Sequence, residues 1–148
     1  MELIVFTGIP ASGKSSFYKA NFFNTHMRIS LDLFNTRNKE NRFMQTAFEL
    51  QQRVVIDNTD VTRKERANYI QLAKEYKYQV IGYYFESKLQ VCMKRNENRV
   101  GTDRISEVGI ITKYKALQLP EYDEGFDKLY YVVLENDQFN VKEWKNEI

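Results

Sequence analysis

The residues Gly8-Ile9-Pro10-Ala11-Ser12-Gly13-Lys14-Ser15 combine small side chains, a cation and a hydroxyl at the spacing G-x-x-x-x-G-K-[ST], a combination suited to holding phosphate. Gly8 and Gly13 are expected to take backbone angles closed to other residues, so that successive N–H groups turn inward around an anion. Leu3-Ile4-Val5-Phe6 reads as a buried strand before the motif, and Ser16 to Phe22 opens a helix after it. That helix adds unpaired N–H groups and the positive end of its dipole to the same point. Lys14 is placed to reach the β- and γ-phosphates and the Ser15 hydroxyl to ligate Mg²⁺, so Gly8 to Ser16 predicts a nucleoside triphosphate site.

Phosphoryl transfer further asks for a group that orients or deprotonates the acceptor and for cations that spread over the developing charge. Asp57 ends the apolar run Arg53-Val54-Val55-Ile56, where an acid could hold Mg²⁺ directly or through water. Its other use would be to cap the Asn58-Thr59 turn. Asp32 follows a short strand at Met27-Arg28-Ile29-Ser30 and could accept a proton from a hydroxyl, or serve only as a helix N-cap. Arg95 and Arg99 share one helix face and Arg104 follows; guanidinium groups suit phosphate oxygens. The alternative for them is a solvated basic face paired with Glu97 and Asp103. His26 is the single histidine, which excludes a His-based metal cluster and argues against a Ser-His triad; a surface or turn position is expected for it.

These residues need a frame. Strands are expected at Leu3–Phe6, Met27–Ser30, Arg53–Asp57, Tyr78–Phe85 and Lys128–Leu134, alternating with helices at Ser16–Phe22, Leu33–Gln51, Thr62–Tyr76, Lys88–Asn98, Glu107–Leu117 and Val141–Glu147. Asn35 to Asn41 could break the second helix, and the charged stretch Arg99 to Ser106 suggests a lid, set at about 95–117. The last helix would carry Trp144, which with the tyrosines is assigned to core and rim. Such alternation predicts an α/β fold, with about five parallel strands and helices on both faces. Ligands in such sheets sit beyond the carboxyl ends of the strands, where the loop, Asp32 and Asp57 should meet. At 148 residues, with ten Tyr, ten Phe and two Pro, the chain reads as one ordered domain, 1–148. The net charge of +2 does not by itself announce a nucleic-acid binder. Cys92 is the only cysteine, so no internal disulfide forms, and it reads as a small buried apolar residue in a reducing cytosol. With no leader-like start and no run of membrane-spanning length, a soluble cytoplasmic protein is expected.

Together these residues resemble the kinase domain of polynucleotide 5′-hydroxyl kinases, within the P-loop kinase superfamily. The resemblance covers nearly the whole chain. It rests on the phosphate loop with Pro10 at its third position, Asp32, Asp57-Asn58-Thr59, Arg95-Asn96-Glu97-Asn98-Arg99 and Glu124-Gly125-Phe126, in that order. It implies the P-loop kinase fold with a helical lid, ATP or GTP as donor, Mg²⁺, and the 5′-OH end of RNA or DNA as acceptor in nucleic-acid repair. By the same resemblance Asp32 is the general base, Lys14 and Ser15 serve the γ-phosphate and Mg²⁺, Arg95 and Arg99 clamp the donor phosphates, and Asp57 supports the site. One position departs. Where the family commonly has an arginine that touches the acceptor phosphate, this chain has Asn35, and Arg37 lies about 200° further round a regular helix, so it could substitute only if that helix were broken. The phosphatase or ligase modules often fused to such kinases are not seen, which implies a separate end-healing or ligase protein as partner. A small-molecule or nucleoside kinase, and a nucleotide-binding switch without an acceptor, are the alternatives.

Overall fold

A computed structural model describes residues 1–146. The apolar runs form β1 (Glu2–Thr7), β2 (Met27–Ile29), β3 (Val54–Ile56), β4 (Gln79–Phe85) and β5 (Lys128–Glu135), and a sixth strand, β6 (Gln138–Glu143), follows. The sheet order is β2-β3-β1-β4-β5-β6. All pairings are parallel except β5 with β6. The helices are α1 (Lys14–Asn21), α2 (Leu31–Phe34), α3 (Arg37–Glu49), α4 (Arg63–Glu75), α5 (Leu89–Glu97) and α6 (Glu107–Ala116). Alternate strand residues feed two cores, as the pleat requires. Leu3, Val5, Val54 and Ile56 pack with Met44, Phe48, Tyr69 and Ile70 of α3 and α4. Ile4, Phe6, Val55 and Phe85 pack with Phe17 and Tyr18 of α1 on the other face. No helix among the described residues is long and apolar enough to cross a membrane.

Two expectations are corrected. The expected helix over Val141–Glu147 is replaced, as far as Glu143, by β6, antiparallel to β5 with Val132 opposite Val141; Glu147 lies outside the described residues. Trp144 follows the strand, donates its backbone N–H to the Leu129 carbonyl at 2.9 Å and packs its ring against Tyr84 and Tyr131. The long helix from Leu33 is two helices. Asn35 sits at φ 67 and closes α2, and the Thr36 hydroxyl caps α3 by accepting from Lys39 N–H at 3.2 Å. Asn is among the few side chains that enter the left-handed region at modest cost, and Thr is a favoured N-cap. The polar insert is therefore broken only at Asn35-Thr36 and is helical from Arg37.

Candidate active site

The phosphate loop joins β1 to α1 over the carboxyl ends of the strands. Gly13 has φ 104, and any Cβ there would also press on Phe139 at 3.2 Å and Leu134 at 3.3 Å. The second left-handed residue of the loop is not Gly8 but Ala11, at φ 67. Gly8 is needed for closeness instead, since a Cβ would lie 3.0 Å from that of Phe85. The N–H groups of Gly8 and Ile9 are committed to the protein, to the Thr59 carbonyl at 3.0 Å and the Ser87 hydroxyl at 3.1 Å, so these residues anchor the loop. Beneath it Ile9 and Ala11 pack with Val61, Cys92 and Ile110, which ties the loop to α5 and α6.

Lys14 folds back on its own loop, donating to the carbonyls of Gly8 and Ile9 at 2.9 Å each and to the Ser12 hydroxyl at 3.3 Å. Burial lowers its ammonium to about 8, against the upward pull of Asp57. The Ser15 hydroxyl donates to Asp57 Oδ2 at 3.0 Å, and Arg28 Nε donates to the same oxygen at 2.7 Å. Arg28 was not expected here; its only sequence signal is a charge inside an otherwise apolar strand.

Asp57-Asn58-Thr59 divides three tasks among neighbours. Asp57 meets Ser15, Thr59 meets Gly8, and Asn58 accepts from Leu31 N–H at 2.8 Å, which fixes the start of α2. Ser30 is the N-cap of α2, its hydroxyl accepting from Asp32 N–H at 3.2 Å, so capping does not occupy Asp32. The Asp32 side chain is exposed and lines a cleft of about 210 Å³ together with Gly13, Lys14, Ser15, Asp57 and Arg37. Among the described residues its carboxylate has no hydrogen-bond or ion-pair partner.

Arg37, at the first position of α3, reaches the same cleft because of the break at Asn35. Its Nη1 donates to Tyr69 Oη at 2.6 Å and Glu40 Oε1 at 3.2 Å. Tyr69 in turn donates to the fully buried Glu40 at 2.7 Å, and Asn58 Nδ2 donates to Glu40 Oε2 at 2.7 Å. Asp60 lies behind them, fully buried, with both carboxyl oxygens unpaired among the described residues. Burial, reinforced by Glu65 and Glu40, pushes its carboxyl well above the ordinary range.

On the opposite wall Arg99 and Lys113 line the cleft, and Lys113 was not anticipated. Arg95 does not line it: its guanidinium donates to the carbonyls of Leu134 at 2.9 Å and Ala11 at 3.4 Å, bracing the phosphate loop against the end of β5. Neither arginine pairs with the carboxylates of Glu97 or Asp103; Arg99 donates to the Asp103 carbonyl at 3.3 Å. Asn96 between them holds Ile105 by both backbone groups, at 2.6 and 2.9 Å, and so shapes the turn between α5 and α6. His26 lies in the turn between α1 and β2, as expected, but is buried there, bridging Glu2 at 2.8 Å and Thr25 at 2.7 Å.

The AAA domain profile matches residues 28–112, more than half of the chain, taking in Asp32, Arg37, Asp57-Asn58-Thr59, Arg95 and Arg99. The chain belongs to that family. This AAA domain is 26% identical over 129 residues to the bifunctional polynucleotide phosphatase/kinase of Schizosaccharomyces pombe, covering 84% of the chain and 32% of the relative. It is 32% identical over 144 residues to a protein of Acanthamoeba polyphaga mimivirus provisionally given the same name, covering 93% of the chain and 34% of the relative. The domain thus spans about a third of the length of these two relatives. Kti12 of Chaetomium thermophilum, solved in complex with ADP-AlF3, superposes with a TM-score of 0.64 at 15% identity, covering 92% of this domain and 91% of that chain. The fold is that of the P-loop kinases.

Proposed function

We propose that the chain moves the γ-phosphate of ATP or GTP to the 5′-hydroxyl end of RNA or DNA, with Asp32 as general base. The observation that carries this reading is the difference between the two acids of the cleft. Asp57 is engaged by Ser15 and Arg28, whereas Asp32 faces the same space with a free carboxylate. One is set to support the donor side, and the other to receive a proton.

In this reading the acceptor hydroxyl gives its proton to Asp32 as its oxygen attacks the γ-phosphorus, the new P–O bond forms, and the bond to the β–γ bridging oxygen breaks, leaving the nucleoside diphosphate. Lys14 exchanges its loop carbonyls for phosphate oxygens, whose negative charge favours the ammonium that burial disfavours. Arg99 and Lys113 approach from the α5–α6 side, read as the lid over about 95–117 of a single domain. Arg95 supports the loop in the arrangement seen here, and takes up a donor phosphate only if the lid movement frees it from Leu134 and Ala11.

Ser15 and Asp57 suit a hard cation such as Mg²⁺, their oxygens lying 3.0 Å apart beside the phosphate loop. Among the described residues no group of three or more His, Cys, Asp or Glu makes a metal cage; an ion at Ser15 and Asp57 would take its other ligands from phosphates and water. When bound, Mg²⁺ supplies neutralisation of charge on the donor phosphates.

The polynucleotide acceptor draws support from the names of the two relatives and from Arg37 in the cleft, in the neighbourhood where the departure at Asn35 left a cation wanting. The test is incubation with γ-labelled ATP or GTP and a panel of 5′-OH oligonucleotides, nucleosides and sugars. Label on oligonucleotide ends is expected. Label on nucleosides or sugars alone overturns the acceptor, and tight nucleotide binding with no acceptor-stimulated turnover overturns the enzyme.

A further inference from the structure

The cleft ends at Arg37, but the exposed side of α3 continues from it. Lys39, Arg42, Phe43 and Thr46 recur at helical spacing and line a groove of about 280 Å³. Phe43 is 50% exposed and belongs to none of the apolar cores. Its ring stacks on Phe34, with 4.4 Å between centroids and 12° between planes. Leu33 beside it is 54% exposed. Phe34 packs on the core beneath it, and Phe43 lies over Phe34 with its outer side at the surface, flanked by cations. Among the described residues Lys39 and Arg42 have no ion-pair partner, and the only acid between Arg37 and Thr46 is Glu40, which is fully buried and bonded to Tyr69 and Asn58. The exposed face of these turns therefore carries basic, aromatic and neutral polar side chains and no acid.

The groove is joined to the cleft. Asp32 and Phe34 lie on the same short helix, and Arg37, which lines the cleft, begins the helix that carries the groove. From Arg37 to Thr46 the helix rises roughly 13 Å, enough for more than one nucleotide of a strand.

We infer that this face of α3 is the track of the acceptor strand: single-stranded nucleic acid runs from Asp32 along α3, with a base stacked on Phe43 and phosphates met by Lys39 and Arg42. The cations match the backbone, and an open aromatic face accepts any base, as strand-tracking surfaces require. The inference rests on the proposed 5′-hydroxyl acceptor and adds where the strand lies. It also predicts that a nucleoside is a poorer acceptor than an oligonucleotide.

The test compares KM for 5′-OH DNA and RNA oligonucleotides of about ten nucleotides with KM for a nucleoside 3′-monophosphate. For Lys39→Gln/Arg42→Gln and for Phe43→Ala, the ratio of long to short KM is expected to rise about tenfold. Phe43→Trp, which keeps a stacking face, should restore it. In titrations of labelled single strands against salt, the double Gln variant should lose about 1.4 from the slope, at about 0.7 per phosphate contact. Wild-type ratios and slopes in all variants, with the native enzyme still labelling oligonucleotides, overturn the track and leave the acceptor standing. A native enzyme that labels neither DNA nor RNA ends overturns the acceptor, and the track with it.

Discussion

At the scale of single residues, the two cleft acids predict different losses. Asp32→Ala removes a carboxylate with no hydrogen-bond or ion-pair partner among the described residues, so nucleotide affinity should stay within about threefold by calorimetry while phosphate transfer falls about 10²–10⁴-fold, the usual contribution of a positioned base. Parallel loss of both would refute the role. Asp60 predicts a pH effect. Its folded carboxyl titrates above the unfolded value of 3.8, so the cost of burying it is absent below that value, grows as pH rises through the raised folded value, and is complete above. Asp60→Asn should therefore gain about 1 kcal/mol or more at pH 8, read by denaturant unfolding, and less at pH 4. Residues of the first kind were legible in the sequence because their chemistry is local: a phosphate loop is made by consecutive backbone groups. Glu40, Tyr69 and Asp60 were not. Tyr69 is one of ten tyrosines, and only the packing of α3 against α4 gives its hydroxyl Arg37 and Glu40 as neighbours.

At the scale of elements, the β5–β6 hairpin is a support for the phosphate loop. Phe139 on β6 meets Phe17 of α1 with 5.1 Å between centroids and fills the space beside Gly13, while Leu134 at the end of β5 receives Arg95. Phe139→Ala should cost about 1–3 kcal/mol of stability, as a half-buried ring would, and weaken nucleotide binding severalfold through a looser loop. Thermal unfolding with and without nucleotide separates the two effects. Lost stability with native affinity would show that the hairpin does not brace the loop. The sequence did carry a signal for this hairpin. Asn136-Asp137 is a two-residue turn of the kind that tolerates positive φ at both places, and both adopt it, at 50° and 59°. The helical reading of Val141 onward failed because a short edge strand is mostly exposed and shows neither period clearly. Its pairing with β5 settles the conformation. The break at Asn35 shows the reverse case, where the polar insert was visible and the left-handed Asn35 and the position of Arg37 needed the structure.

At the scale of the whole molecule, Arg66 and Glu124 join α4 to the segment before β5 by a buried two-pronged pair, at 2.8 and 3.0 Å. Gly125, at φ 111, lets the chain pass Ile70, and Phe126 packs over Gly82. The triplet that resembles the family is therefore structural in this domain. Glu124→Ala leaves the buried Arg66 charge unpaired and should cost about 3–5 kcal/mol in chemical unfolding, with little change in nucleotide affinity for the fraction that folds. Strand and helix alternation was enough to foresee the parallel layers and the edge where the site lies, since crossover rules leave few other topologies. The order of strands across the sheet, and with it the pairing of distant charges, came from three-dimensional packing. Asp57, Asn58 and Thr59 carry a last consequence. Three consecutive residues set the spacing between the phosphate loop, the acid beside Ser15 and the start of the helix that bears Asp32, in covalent steps of about 3.8 Å. The peptide acts as a ruler that thermal loosening of the cores does not stretch, so warming should leave the spacing between the phosphate loop and the start of α2 nearly unchanged until the hydrogen bonds of Asp57, Asn58 and Thr59 break.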